Sequence, residues 1–320
     1  MNFDDYDDPE LPAIALRLQH NDATVRRIAV LDLADLDGEA HVPLLVGALT
    51  DQNGAVRAEA ARALEAYESS TTVQGLARLL SDADADVRAA AAQSLSELKL
   101  PASAAELIPF INSSDSFVRA AALRGVRELR IPDSFGPALG ALTDGAPLVR
   151  REAVAVLGYL KRPEGVSALT AIAAQDPSPE VRRAAVGALG FASDDTVLPA
   201  LLAALRDAEW QVREEAATTL GKLRLQAAAP ALIAALDDAY WQVRLRAARS
   251  LGRLRSIDAL PNLIVALTHT ISNLRKEAAL ALGEIASPIA LPALQEAAND
   301  PDPEVRKSVR LAIQQTQAAA

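Results

Sequence analysis

The sequence predicts an all-α fold, an α-solenoid or superhelix of ten two-helix repeats of about 31 residues each. Three observations predict it. A Val-Arg dipeptide recurs at Val25-Arg26, Val56-Arg57, Val87-Arg88, Val118-Arg119, Val149-Arg150, Val181-Arg182, Val212-Arg213 and Val243-Arg244, with Leu274-Arg275 and Val305-Arg306 completing the series; every spacing is 31 except 32 between Val149 and Val181. Apolar and small residues follow each valine at helical spacing, so one stripe of each second helix is buried. The composition, 50% hydrophobic but only 3% aromatic, favours closely packed helices built from Ala, Leu and Val.

The eighth repeat shows how each element arises. Pro230 to Leu236 closes a first apolar helix with Leu232, Ile233 and Leu236 on one face, and Asp237, Asp238 and Ala239 make a short turn. A second helix is expected from about Trp241 to Leu254, with Val243, Ala247, Ala248, Leu251 and Leu254 inward; Val212, Ala216, Ala217, Leu220 and Leu223 repeat that pattern one unit earlier. Gly158, Gly190, Gly221, Gly252 and Gly283 stand nine residues after the valine, where they allow a close backbone approach or prepare a helix end. Five residues before the valine stands Asp51, Asp82, Asp144, Asp176, Asp207, Asp238 or Asp300, suited to capping the second helix or the preceding turn. The repeat arginine, six residues later, faces the turn of its own or the next repeat, so a structural Asp–Arg ladder is expected. It should weaken where His20, Ser113 and His269 replace the aspartate.

The extra residue before Val181 falls between Arg162 and Gln175 and should alter the twist there. No linker interrupts the series, so residues 9–316 read as one solenoid. Residues 1–8 begin an acidic arm, "MNFDDYDDPE", and 317–320 are expected to fray.

This pattern resembles the HEAT repeat, above all the short bacterial form first associated with phycobilin lyases. The resemblance rests on the Asp-to-Arg spacing in "DDAYWQVR" and "NDPDPEVR" and on "AARSLG" at Ala247 to Gly252, and it covers essentially the whole chain. It implies a solenoid whose second helices line the concave side. It says less about function, because one solenoid architecture hosts many unrelated tasks.

Composition narrows the function classes. There is no cysteine, one methionine and three histidines, so disulfides and thiolate metal sites are excluded. No His-Glu pair occurs, which opposes the di-iron chemistry of the HEAT-like deoxyhypusine hydroxylases and the zinc-protease motif. The formal charge of −10 disfavours nucleic acid as a partner. No apolar stretch is long enough to span a membrane and no secretory leader is evident, so a cytoplasmic protein is expected. No cofactor is called for, and no catalytic or metal-binding residue is assigned.

Function in a solenoid is sought where the repeats deviate. Trp210 and Trp241, the only tryptophans, stand two residues before their valines in "EWQVREEA" and "YWQVRLRA", with Tyr240 beside the second. Arg246, Arg249 and Arg253 share one face of the eighth second helix, in a segment from Tyr240 to Arg255 without an acidic residue. Tyr159, Phe191, Lys222 and Arg253 hold one offset in four successive repeats, with Arg151 and Arg183 alongside. These residues predict a protein-binding groove over repeats five to eight, with tryptophan anchors and an arginine clamp suited to an acidic or aromatic segment of another protein. The reading is of a non-enzymatic scaffold. The alternative is an accessory or maturation factor: either phycobilin-lyase-like, for which the resemblance implies a tetrapyrrole as the small-molecule ligand, or one that helps insert a cofactor into a metalloprotein.

Overall fold

The computed structural model describes residues 10–192 and 195–319. The chain divides into two compact units, Met1–Leu160 and Lys161–Ala320. In the first, five helix pairs follow one another: α1 (Leu11–Arg17) and α2 (Ala23–Ala34), α3 (Val42–Ala48) and α4 (Gly54–Ala63), α5 (Ser70–Leu79) and α6 (Ala85–Ser96), α7 (Ala104–Leu107) and α8 (Ser116–Arg127), α9 (Phe135–Ala141) and α10 (Pro147–Leu160). The second holds α11 (Val166–Gln175) and α12 (Pro179–Ala188), α13 (Leu198–Ala204) and α14 (Trp210–Leu223), α15 (Ala229–Ala234) and α16 (Trp241–Leu254), α17 (Leu260–Ala266) and α18 (Ser272–Ile285), α19 (Leu291–Ala297) and α20 (Pro303–Ala318). Among the described residues there is no strand. The chain is an all-α solenoid.

The first helices are short because their sequences stop them early. Proline opens α1, α3, α13, α15, α17 and α19, where its fixed φ suits the first turn and its missing N–H costs nothing. Pro109 limits α7 to four residues, after which Ile108–Asn112 continue as a 3-10 helix. The extra residue of repeat six lies inside α11, which runs ten residues where α9 and α13 run seven.

The second helices pack side by side in each unit, α2 through α10 and α12 through α20, and form its dense layer. The stripe predicted for α16 is buried throughout: Val243, Ala247, Ala248 and Leu251 expose nothing and Leu254 only 3%. Isolated pairs could not bury these faces; the neighbours supply the cover.

Glycine marks where that layer is tightest. A Cβ on Gly252 would lie 2.8 Å from the Ala281 backbone, and one on Gly283 the same distance from Ala312; on Gly221 it would meet Ser250. Ser250 completes the contact by donating its hydroxyl to the Ala217 carbonyl at 2.7 Å. These three glycines therefore serve close helix approach. Gly252→Ala is expected to destabilise the second unit by about 1 kcal/mol, as α18 must retreat by tenths of an ångström. A urea titration with unchanged midpoint would contradict this.

α20 continues through Ala318, and Thr316 is fully buried with its hydroxyl donating to Ala312 at 2.8 Å, so residues 317 and 318 are helical. The acidic arm assigned to residues 1–8 lies outside the described residues.

Candidate interaction surface

The Asp–Arg ladder links the turns that precede successive second helices. Within the first unit Arg26, Arg57 and Arg119 each fork onto the aspartate of the next repeat, Asp51, Asp82 and Asp144; within the second Arg182, Arg213 and Arg275 fork onto Asp207, Asp238 and Asp300. Each of these arginines also donates its remaining terminal nitrogen to two carbonyls of its own turn, as Arg57 does to Asp51 and Gln52. The guanidinium thus satisfies both turns. The aspartate accepts the backbone N–H two residues on, as Asp82 does from Asp84 at 2.8 Å, and so organises the turn. The helix N-cap lies three residues before the valine instead. Asp22, Asn53, Asp84, Asp115 and Asp302 cap there with their side chains.

Repeats six to nine lack that cap: in repeat six Ser178 holds the position without a side-chain capping bond. In repeats seven to nine Glu209, Tyr240 and Ile271 hold it, and none makes a side-chain capping bond. Tyr240 stacks on Trp210 of the preceding repeat, ring centroids 5.4 Å apart and planes 12° from parallel. The Arg213 guanidinium lies 5.7 Å from the same tyrosine ring, so the aromatic pair covers a ladder rung. Tyr240 remains 45% exposed. Trp241, half-buried at the start of α16, has no ring partner among the described residues.

The arginine clamp is largely spent within the fold. Arg246 donates to Glu214 at 3.0 Å, and Arg249 forks onto Glu277 with two bonds of 2.7 Å. Glu277 is only 6% exposed. The sequence shows no acid near these arginines because the acids come from the repeats before and after. Arg151 and Arg183 are likewise held, by Glu152 at 2.8 Å and Glu215 at 3.7 Å. Burial pushes the Glu215 carboxyl above its ordinary value, against the pull of Arg183. Arg253 is different: it is exposed, and no ion pair holds it among the described residues.

The same-offset strip belongs to both units. In the first, Tyr159 lies 5.6 and 5.8 Å from the guanidinium groups of Arg127 and Arg130. In the second, Phe191 borders an open cleft of about 600 Å³ with Lys161, Val166 and Thr170. Lys222 crosses above Gly190, its Nζ 2.9 Å from where a Cβ would stand. Phe191, Lys222 and Arg253 therefore follow one another on one unit. Among the described residues no cluster of three or more His, Asp or Glu side chains is placed to hold a metal ion. No helix there is long and apolar enough to cross a membrane.

The chain belongs to the HEAT-repeat family. The family model matches residues 11–96, 50–127, 104–177, 136–221, 166–240 and 229–314. Comparison with curated proteins gives no match. Similar solved structures include an engineered protein with a TM-score of 0.52 and 22% identity, covering 96% of this chain and 99% of its own. Kap95p, solved with RanGDP, has a TM-score of 0.67 at 16% identity over 97% of this chain and 52% of its own. The karyopherin Kap121p, bound to the extreme C-terminus of the protein phosphatase Cdc14p, has a TM-score of 0.66 at 16% identity, over 99% of this chain and 42% of its own. The chain thus spans about half the length of these karyopherins or less. At such identities the likeness concerns the fold alone.

Proposed function

We propose that this protein is a non-enzymatic adaptor that binds a segment of another protein along repeats seven and eight, with Tyr240, Trp210 and Trp241 as its anchors. The observation that carries the reading is Tyr240 in the N-cap position. Aspartate or asparagine caps five other second helices, and exchanging such a cap for a non-capping residue costs about 1 kcal/mol. Here the cap is replaced by an aromatic that stays 45% exposed and builds a flat plate with Trp210. Three of the chain's eleven Trp, Tyr and Phe residues gather at this one edge. Exposed aromatics backed by a rigid rung are the type of residue that dominates binding energy. The karyopherin bound to a protein's extreme C-terminus is a precedent for such a solenoid receiving a segment of another protein.

The test separates fold from function. In Tyr240→Asp the restored cap and the lost stacking, each about 1 kcal/mol, nearly cancel, so thermal stability is expected to hold. In affinity capture from the native host lysate, a protein retained by wild type is expected to be lost with Tyr240→Asp and with Trp241→Ala. Retention of the same partner by both variants removes the aromatic edge from the function.

A further inference from the structure

Arg253 points to a site of its own. At the C-terminal ends of α14 and α16 an open cleft of about 590 Å³ is lined by Arg224, Gln226, Gly252, Arg253, Leu254, Arg255 and Glu284. All three arginines are exposed, and none has a side-chain hydrogen bond or ion pair among the described residues. This contrasts with the ladder and with Arg246 and Arg249, each of which has found an acid. A surface rich in unspent guanidinium groups is unusual in a chain of formal charge −10.

Helix capping does not account for them. Arg224 and Arg255 end their helices with φ of 54° and 50°, the left-handed conformation for which glycine is favoured. The terminal carbonyls are closed by backbone donors: Arg224 N–H to Gly221 and Leu225 N–H to Leu220, then Arg255 N–H to Gly252 and Ser256 N–H to Leu251. The Gln226 side chain donates to the Leu254 carbonyl at 3.1 Å. The guanidinium groups are left over, projecting from two backbone positions fixed 31 residues apart in sequence.

We propose that Arg224, Arg253 and Arg255 form a receptor for a phosphomonoester carried on a peptide segment. Charge selects the group. Three guanidinium ions and the Glu284 carboxylate give the cleft a net charge of +2, which matches a phosphomonoester dianion and exceeds a single carboxylate. The planar forks of arginine suit its equatorial oxygens. Glu284 is exposed beside the arginines and reaches over Gly252, its Oε2 2.9 Å from where a Cβ there would stand. The cleft is open and much larger than one phosphate, so the chain bearing the group has room beside it. No aromatic ring lines it to stack a nucleotide base. The inference goes beyond the adaptor reading and stands without it, since Arg224 and Arg255 close the C-terminal ends of α14 and α16 while Trp210 and Tyr240 stand at their N-terminal ends.

Fluorescence anisotropy of the full chain with a labelled Gly-Ser-Gly-phosphoSer-Gly-Ser-Gly peptide tests it. The phosphorylated peptide is expected to bind and its unphosphorylated counterpart not. The Kd should rise about tenfold in Arg224→Gln and in Arg253→Gln, the loss of one charge-assisted pair. It should fall in Glu284→Gln and stay unchanged in Tyr240→Asp. Circular dichroism of each variant checks the fold. Equal binding of the two peptides, or an unchanged Kd in both folded arginine variants, overturns the proposal. Inorganic phosphate binding as tightly as the phosphopeptide, or anionic vesicles of phosphatidylserine and phosphatidylcholine outcompeting it, overturns the peptide assignment. Loss of a lysate partner in Tyr240→Asp with phosphopeptide binding retained separates this site from the aromatic edge.

Discussion

Asp82→Ala lowers the stability of the first unit by about 3 kcal/mol, the cost expected for stranding a largely buried charge partner. The rung it breaks is well enclosed, with side-chain exposures of 17% for Arg57 and 9% for Asp82. Three bonds go at once: two of 2.7 Å from Arg57 and one of 2.8 Å from the Asp84 N–H. Asp82→Ser is expected to lose less, because a hydroxyl can still accept the turn N–H. Repeat four shows this natively: the Ser113 hydroxyl accepts from Asp115 at 3.2 Å. There Arg88 keeps the carbonyls of Asp82 and Ala83, and its guanidinium lies 5.8 Å from the Phe117 ring. Urea unfolding of the two variants measures both effects; equal midpoints for Asp82→Ala and wild type would show the rung to be ornamental.

The pH dependence carries the same signature. The Arg57 bonds hold the Asp82 carboxyl below its ordinary value, and the corresponding arginines do so at Asp51, Asp144 and Asp300. At Asp207 and Asp238 burial pushes the other way, yet arginine, backbone N–H and neighbouring charges together prevail. A carboxyl lowered on folding contributes stability that is complete above its unfolded pKa of about 4 and is lost as pH falls toward the folded value. The gap between wild type and Asp82→Ala should therefore close below about pH 4.

The repeat pattern made the fold legible because its determinants are local. Val243, Leu251 and Gly252 lie on one helix, and their spacing alone states which face is buried and where the next helix approaches. The candidate surface was legible only in part, because its electrostatics are not local. Tyr240 to Arg255 reads as a run of bare cations, yet Glu214 and Glu277 neutralise two of them from 32 and 28 residues away. The stacking of Trp210 on Tyr240 was hidden for the same reason, as it links residues one repeat apart. Arg224 carries no signal in the sequence beyond its 31-residue spacing from Arg255; both stand on a left-handed backbone at a helix end. In a solenoid the offset predicts the layer, and the partner in that layer must be sought one repeat away.

His269→Asp raises the stability of the second unit by about 2 kcal/mol, within the range for completing a partly buried charged hydrogen-bond pair. His269 holds the rung position of repeat nine and is asked for two incompatible bonds. Its Nδ1 lies 3.0 Å from the Ile271 N–H and its Nε2 3.1 Å from an Arg244 terminal nitrogen, both donors. A neutral imidazole has one bare nitrogen, so one of these contacts sets donor against donor. Arg244 shows the consequence: its Nε is buried with no hydrogen-bond partner, as is Oε1 of neighbouring Gln242. Aspartate has lone pairs for both the turn N–H and the fork, as Asp238 demonstrates one repeat earlier. Acid sharpens the comparison. Burial, Arg244 and Arg275 all lower the His269 pKa. The folded protein then refuses a proton that the unfolded chain accepts below about pH 6.5, so wild type loses stability as pH falls through that value. An aspartate there stays charged to about pH 4, and the advantage of His269→Asp should grow between pH 7 and pH 5. A variant less stable than wild type at pH 7, or an advantage that shrinks with acid, would mean that the histidine is accommodated by a rearranged rung and not tolerated as a defect.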